Sequence, residues 1–218
     1  MTFEELKALD HQYTMQTYGR FDVALDHGKG ATLYGLEGEV YTDFASGIGV
    51  ASLGYGHPAW VKAVSEQAQK LQHASNLFYT EPYAKVAEKL CKRTGMAAVF
   101  FANGGGEANE GIIKLARKYS FDKYGMGRST IITLHNSFHG RTITTLQATG
   151  QDVFHQYFFP FTEGFRYADV NDLDSVKAQA DDTTCAVMLE LIQGESGVYP
   201  LDQGFVHNLA VLCAERDW

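Results

Sequence analysis

Three short stretches bring together residue types that could do chemistry: bare glycine backbone, an aromatic beside an arginine, and a pair of acids. The first, FFANGGGEANEG (100–111), sets three glycines between an apolar run and a segment with helical character. A strand, a bare turn and a helix start together present free N–H groups and the positive end of a helix dipole. Glycine leaves no Cβ in the way of an anion. The spacing is not GxxxxGK. Asn109 stands where a third glycine would complete GxGxxG after Gly104 and Gly106, so P-loop and dinucleotide readings are disfavoured. A tight turn without a ligand fits these glycines equally well.

The second stretch, NSFHGRT (136–142), offers Arg141, which can take a carboxylate through two parallel hydrogen bonds, and Phe138, which can lie flat on a planar ring. A surface ion pair and ordinary core packing are the competing readings of these two residues. His139 is either a packed, hydrogen-bonded histidine or, titrating near neutrality, a proton carrier. The third stretch, ELIQGESGV (190–198), contributes Glu190 and Glu195, able to order a neighbour facing a ligand or to hold an arginine. Solvated surface acids are the alternative there.

The elements around these stretches follow from periodicity and punctuation. Thr2-x-x-Glu5 is a capping box opening an amphipathic helix through Leu6, Leu9 and Tyr13. Residues 31–44 read as two short strands around a turn containing Gly38. Pro58 starts a helix running to about His73, and a further helix from Thr80-Glu81-Pro82 carries Tyr83, Val86 and Leu90 and stops at Gly95. Strands are expected at 97–103, 130–136 and 185–193, with helices at 107–119 and 205–217. Such alternation argues for a largely parallel α/β sheet, which places ligands at the carboxyl ends of the strands. All three polar stretches fall there.

Composition narrows the function. A formal charge of -8, with no Lys/Arg cluster, argues against nucleic-acid partners. Three cysteines, Cys91, Cys185 and Cys213, are widely spaced and form no CxxC pair, which suggests neither a disulfide framework nor a zinc site. A reducing cytoplasm is expected, and no run approaches the ~18 apolar residues of a membrane span.

Taken in order, FFANGGGEANEGIIKLARKY, NSFHGRT and ELIQGESGV resemble the pyridoxal-phosphate-dependent aminotransferases of fold type I, in the ornithine and 4-aminobutyrate subgroup. The resemblance runs nearly end to end. Within that subgroup, TYGRFDVALDHGKGATLYGLEGEVYTDFASGIGVASLGYGHP and SNLFYTEPYAKVAEKLC look most like the acetylornithine branch, which serves arginine biosynthesis. The resemblance implies an N-terminal arm and small-domain segment (1–75) followed by part of a large cofactor-binding domain (76–218). It implies pyridoxal 5'-phosphate as cofactor, held at its phosphate by the N–H groups of Gly105 and Gly106. Phe138 would stack on its ring, with Glu190 supporting the residues around it. Arg141 would bind the α-carboxylate of the amino-acid substrate, and Glu195 would shield or release an arginine. It further implies 2-oxoglutarate as amino acceptor, and a homodimer with the arm and residues 46–57 and 76–80 near the interface.

Departures from the family pattern carry their own expectations. The loop usually reads Asn-Ser-Gly-Ala-Glu, and Gly104 and Gly106 replace its Ser and Ala. A hydroxyl contact is thereby lost, and glycine near a helix start costs up to ~1 kcal/mol in backbone entropy. Gly35 replaces a common Asp, and Ser196 a common Gly. Family members also continue, beyond the segment matched here, to an Asp-Glu strand and a Schiff-base lysine. None of the eleven lysines of this chain stands in that context, so no catalytic lysine is assigned and the 218-residue chain by itself is expected to be inactive. Two further readings stay open: a non-catalytic half that binds or regulates a partner, and an enzyme for ornithine, succinylornithine or 4-aminobutyrate.

Overall fold

The computed structural model describes residues 1–218, which divide into two compact units, Met1–Lys85 and Val86–Trp218. The first begins with helix α1 (Phe3–Tyr13). The expected capping box is formed: Thr2 Oγ1 accepts from the Glu5 N–H at 3.2 Å, and the Glu5 carboxylate accepts from the Thr2 N–H at 2.9 Å. Three strands follow, β1 (Leu25–Lys29), β2 (Thr32–Gly35) and β3 (Val40–Thr42), paired antiparallel in that order. β2 and β3 are the anticipated pair, while β1 is an addition: its DHGK sequence lacks the apolar alternation that signals a strand. A short turn α2 (Ser46–Gly49) leads to α3 (Pro58–Lys70), which starts on its proline as expected and ends three residues earlier than His73.

Helix α4 (Glu81–Thr94) runs across the boundary between the units. It stops where Gly95 turns left-handed (φ 75°) and donates its N–H to the Cys91 carbonyl at 2.9 Å, the glycine stop legible in the sequence. Next comes a correction. Residues 97–103, read as a buried strand, form no strand at all, and Phe100 is exposed. A strand exists only through hydrogen bonds to a neighbour, and none of the ladders in this chain includes the segment.

The second unit is built on α5 (Gly105–Tyr124), β4 (Thr130–Leu134), α6 (Ile143–Ala148), β5 (Phe165–Ala168), α7 (Leu173–Gln179), β6 (Thr184–Val187), β7 (Ile192–Gln193), β8 (Tyr199–Pro200) and α8 (Gln203–Arg216). The strands β5-β4-β6 form a parallel sheet with β4 central, confirming the α/β expectation. Every residue of β4 is buried, and its side chains divide by the two-residue period of a strand. Ile132 and Leu134 pack with Val176 of α7 and Phe205, Leu209 and Leu212 of α8. Ile131 packs with Ile113 of α5, Ala148 of α6 and Cys185 of β6. The sheet is thus covered on both faces, which is what lets an unbroken apolar run such as TIITL serve as a strand.

Two further differences follow from local chemistry. The run 185–193 is divided between β6 and β7, and β5 and α7 were not anticipated. β5 (FRYA) mixes charge with aromatics, and its identity as a strand comes from pairing with β4. α7 had a readable start: the Asp172 carboxylate accepts from the Asp174 and Ser175 N–H groups, both at 2.9 Å.

Candidate cofactor and substrate site

All three stretches singled out by chemistry lie in the second unit, and direct hydrogen bonds pin them together. The first opens α5. Gly104 is the N-cap in extended conformation (φ -166°) and supplies no side-chain cap, so the first turn keeps backbone donors that a serine or aspartate would have engaged. Neither Gly104, Gly105 nor Gly106 has a left-handed φ. The backbone therefore does not demand glycine here, and what these residues provide is open space: no neighbouring atom lies within 4 Å of a Cβ built on Gly104 or Gly105. On Gly106 a Cβ would meet Thr142 Cγ2 at an ordinary 3.7 Å.

The second stretch leaves β4 through Asn136, which is left-handed (φ 63°). Its Ser137 is fully buried, and Ser137 Oγ accepts the Gly150 N–H at 3.0 Å. The His139 N–H donates to Thr149 Oγ1 at 2.9 Å, and the His139 carbonyl accepts from Asn109 Nδ2 of α5 at 2.7 Å. Gly140 is the glycine this geometry cannot replace. Its φ is 135°, and a Cβ there would stand 2.6 Å from Thr145 Oγ1 and 2.9 Å from Gly106 Cα. The close approach of Gly140 to Gly106 brings the first two loops into contact. Thr142 Oγ1 reinforces it, donating to the Glu110 carboxylate of α5 at 2.6 Å.

The third stretch joins through its acids and amides. The Glu190 carboxylate accepts the Phe138 N–H at 2.9 Å, fixing the backbone that carries the Phe138 ring. Gln193, buried, donates from Nε2 to the His135 carbonyl at 2.9 Å. Gln151 bridges the last two loops, donating to the Ser137 carbonyl at 3.1 Å and to the Glu195 carboxylate at 2.8 Å. Glu195 is exposed and engaged by this amide rather than by an arginine. Arg141 is exposed as well, with its guanidinium over Phe138 at 6.0 Å and Phe154 at 5.7 Å.

His139 changes meaning on folding. It is 3% exposed, its Nε2 has no hydrogen-bond partner, and burial pushes its pKa down to about 4. The ring is neutral at pH 7, which removes it from the proton carriers near neutrality. Sequence reasoning missed the amides and hydroxyls that hold the loops: Asn109, Ser137, Thr142, Thr149 and Gln151. Of these, Asn109 had a signal that could have found it: a polar side chain four residues into α5, on the face of its first turn.

The second and third loops follow β4 and β6 of the parallel sheet, where open α/β folds bind ligands, and the first is held against the second by the Gly106–Gly140 approach and the Asn109–His139 hydrogen bond. The chain belongs to the class-III aminotransferase family, whose pattern it matches over residues 13–218. It is 55% identical to the acetylornithine aminotransferase of Haemophilus ducreyi, over all of this chain and 56% of that protein. Among solved structures it resembles the ornithine aminotransferase of Toxoplasma gondii (TM-score 0.93, 30% identity, all of this chain and 52% of that one). It likewise resembles the N-acetylornithine aminotransferase of Stenotrophomonas maltophilia (TM-score 0.77, 38% identity, 96% of this chain and 51% of that one). The chain spans about half the length of these relatives. Membership implies pyridoxal phosphate as cofactor, and the uncapped first turn of α5, with open space at Gly104 and Gly105, fits its phosphate.

Proposed function

We propose that the protein is an aminotransferase of arginine biosynthesis, moving an amino group between N2-acetylornithine and 2-oxoglutarate. The observation that carries this is the pinning of three loops, distant in sequence, into one constellation at the sheet's carboxyl edge. Identity of 55% and 51% to two acetylornithine aminotransferases supports N2-acetylornithine as the substrate. When bound, pyridoxal phosphate supplies an electron sink for the carbon that loses or gains the amino group.

The residues of this chain do the positioning. Backbone N–H groups of Gly105 and Gly106, at the positive end of a 20-residue helix, receive the phosphate. Phe138 would stack on the cofactor ring, and Glu190, by accepting the Phe138 N–H, holds the backbone that carries the Phe138 side chain. Arg141 receives the substrate carboxylate in a two-pronged charge-assisted pair. Glu195, exposed and held by Gln151, would shield or release an arginine according to which substrate is present. No lysine occupies these three loops. None of these loops therefore supplies an amine to anchor the cofactor covalently, and by this reading the 218 residues alone are not expected to turn over.

Exposed apolar side chains support a homodimer. Phe44, Ile48 and Val50 form one run and Leu77, Phe78 and Tyr79 another, with Phe44 and Ile48 95% and 94% exposed. Three free cysteines suit a cytoplasmic setting. No helix is long and apolar enough to cross a membrane.

The test is glutamate formation by the intact protein from N2-acetylornithine and 2-oxoglutarate, with ornithine, succinylornithine and 4-aminobutyrate in competition. We expect kcat/KM for acetylornithine to exceed that for ornithine and 4-aminobutyrate by at least about tenfold, a difference of ~1.4 kcal/mol. A preference for ornithine or 4-aminobutyrate would sink the substrate assignment while leaving the reaction class standing.

A further inference from the structure

Arg141 is an arginine with nothing to pair with. Its guanidinium makes no ion pair and no hydrogen bond within the chain, although the three stretches hold four carboxylates. Each of those acids is already engaged: Glu107 by Asn103, Glu110 by Thr142, Glu190 by the Phe138 N–H, Glu195 by Gln151. What does hold Arg141 is a pair of rings. The centre of the guanidinium lies 5.7 Å from the Phe154 ring and 6.0 Å from the Phe138 ring, within the range of cation–π attraction. The two rings meet edge to face, centroids 6.0 Å apart at 66°.

We propose that Phe154 is a positioning residue, which completes with Phe138 a two-ring cradle that orients Arg141 for the substrate carboxylate. The inference rests on the reading that Arg141 receives that carboxylate. A flexible arginine loses rotamer freedom when it binds, and two rings beside its guanidinium remove part of that freedom beforehand. The attraction to the rings uses no hydrogen-bond acceptor, so the guanidinium N–H groups stay available for a two-pronged carboxylate contact. An acid partner would have done the opposite, occupying the donors the substrate needs.

Phe154 is itself well placed for this task. It ends the short 3-10 turn Asp152–Phe154, with its N–H donated to the Gln151 carbonyl at 3.1 Å. Gln151 is anchored in turn on Ser137 and Glu195. The ring under Arg141 is thereby tied to both neighbouring loops. Phe154 also links ring stacking to carboxylate recognition, because the Phe138 ring it touches is the one assigned to the cofactor.

The experiment is calorimetric binding of 2-oxoglutarate to the intact protein saturated with pyridoxal phosphate, with melting temperature recorded for every variant. Phe154→Leu removes the aromatic face while keeping an apolar side chain, and we expect its Kd to rise by about threefold to thirtyfold. Phe154→Tyr restores the face and should return the Kd to within about twofold of the parent. Phe154→Met takes the place of Phe154→Leu should that variant not fold. A melting-temperature drop in Phe154→Leu with Kd unchanged means a purely structural role and overturns the proposal. Arg141→Ala separates the two levels. If it weakens binding and Phe154→Leu does not, the cradle alone fails; if it leaves the Kd unchanged, the carboxylate role of Arg141 fails and the cradle with it.

Discussion

Residues 1–85 and 86–218 draw on similar apolar residues and use them differently. In the first unit, α1 and α3 bury no residue, and Trp60, Leu53, Leu77 and Tyr79 stay largely exposed. In the second, β4 buries all five of its residues, and two apolar clusters cover the sheet from either side. Both units have well-formed local structure. The first holds its shape through short-range devices: the capping box of α1, the Lys62–Glu66 and Lys85–Glu81 pairs one helical turn apart, and the Tyr55–Asp43 hydrogen bond at 2.9 Å. Such devices contribute tenths of a kcal/mol to about one each, whereas fully burying one large aliphatic side chain contributes ~1.5–3. Local order and tertiary stability are separate properties, and the two units show them apart.

The contrast can be broken most directly by hydrogen exchange on the 218-residue chain. Amides of β4 are expected to exchange at least about 1,000-fold more slowly than those of α3. Equal protection in the two elements would show that the first unit is stabilised by something other than burial. Core substitution tests the same difference from the other side. Leu134→Ala, at a position with 0% exposure, should cost ~2–5 kcal/mol in urea denaturation. Trp60→Ala, at 58% exposure, should cost less than ~1 kcal/mol.

Acid sharpens the comparison within the second unit. Burial holds the His139 pKa at about 4, below its ordinary 6.5, so between these values the unfolded chain binds a proton that the folded chain refuses. Stability should be flat above pH 6.5 and fall as the pH drops toward 4, by roughly 3 kcal/mol in all. His139→Gln should abolish that slope in denaturation curves taken across this range.

Two smaller effects concern α5. Gly106→Ala has room for its methyl and occupies a helical position, so a gain of up to ~1 kcal/mol is expected in thermal unfolding. A loss there would mean the helix start needs its freedom. At the other end of α5, Lys123 and then Tyr124 hydrogen-bond Asp217 and hold its pKa at about 2. This exposed group's contribution is present above its ordinary value and fades as the pH falls toward 2. Asp217→Asn should lose it above about pH 4 and match the parent near pH 2, a difference smaller than the His139 slope.

Much of this arrangement was legible before folding was known. The capping box, the proline start of α3, the glycine stop of α4 and the TIITL strand each depend on contacts within a few residues, so residue type and spacing suffice. The strand predicted at 97–103 failed for the opposite reason: its apolar character was visible, but a strand is defined by a partner the segment does not find within this chain. In the site, Gly105, Gly106, Phe138, Arg141, Glu190 and Glu195 could be named from type and order. The hydrogen bonds from Asn109 to His139, from Phe138 to Glu190 and from Gln151 to Glu195 could not. They span 30, 52 and 44 positions, distances over which spacing carries no register.

The sequence by itself determined the membership, the α/β class, and which residue types follow β4 and β6. Only the tertiary structure decided that His139 is neutral, that Glu195 is held by an amide, and that Arg141 rests on two rings with its donors unspent. The physical reason is that charge state and pairing depend on burial and on which distant groups arrive within ~3–6 Å. Chain order specifies local geometry, and the packed fold sets those distances.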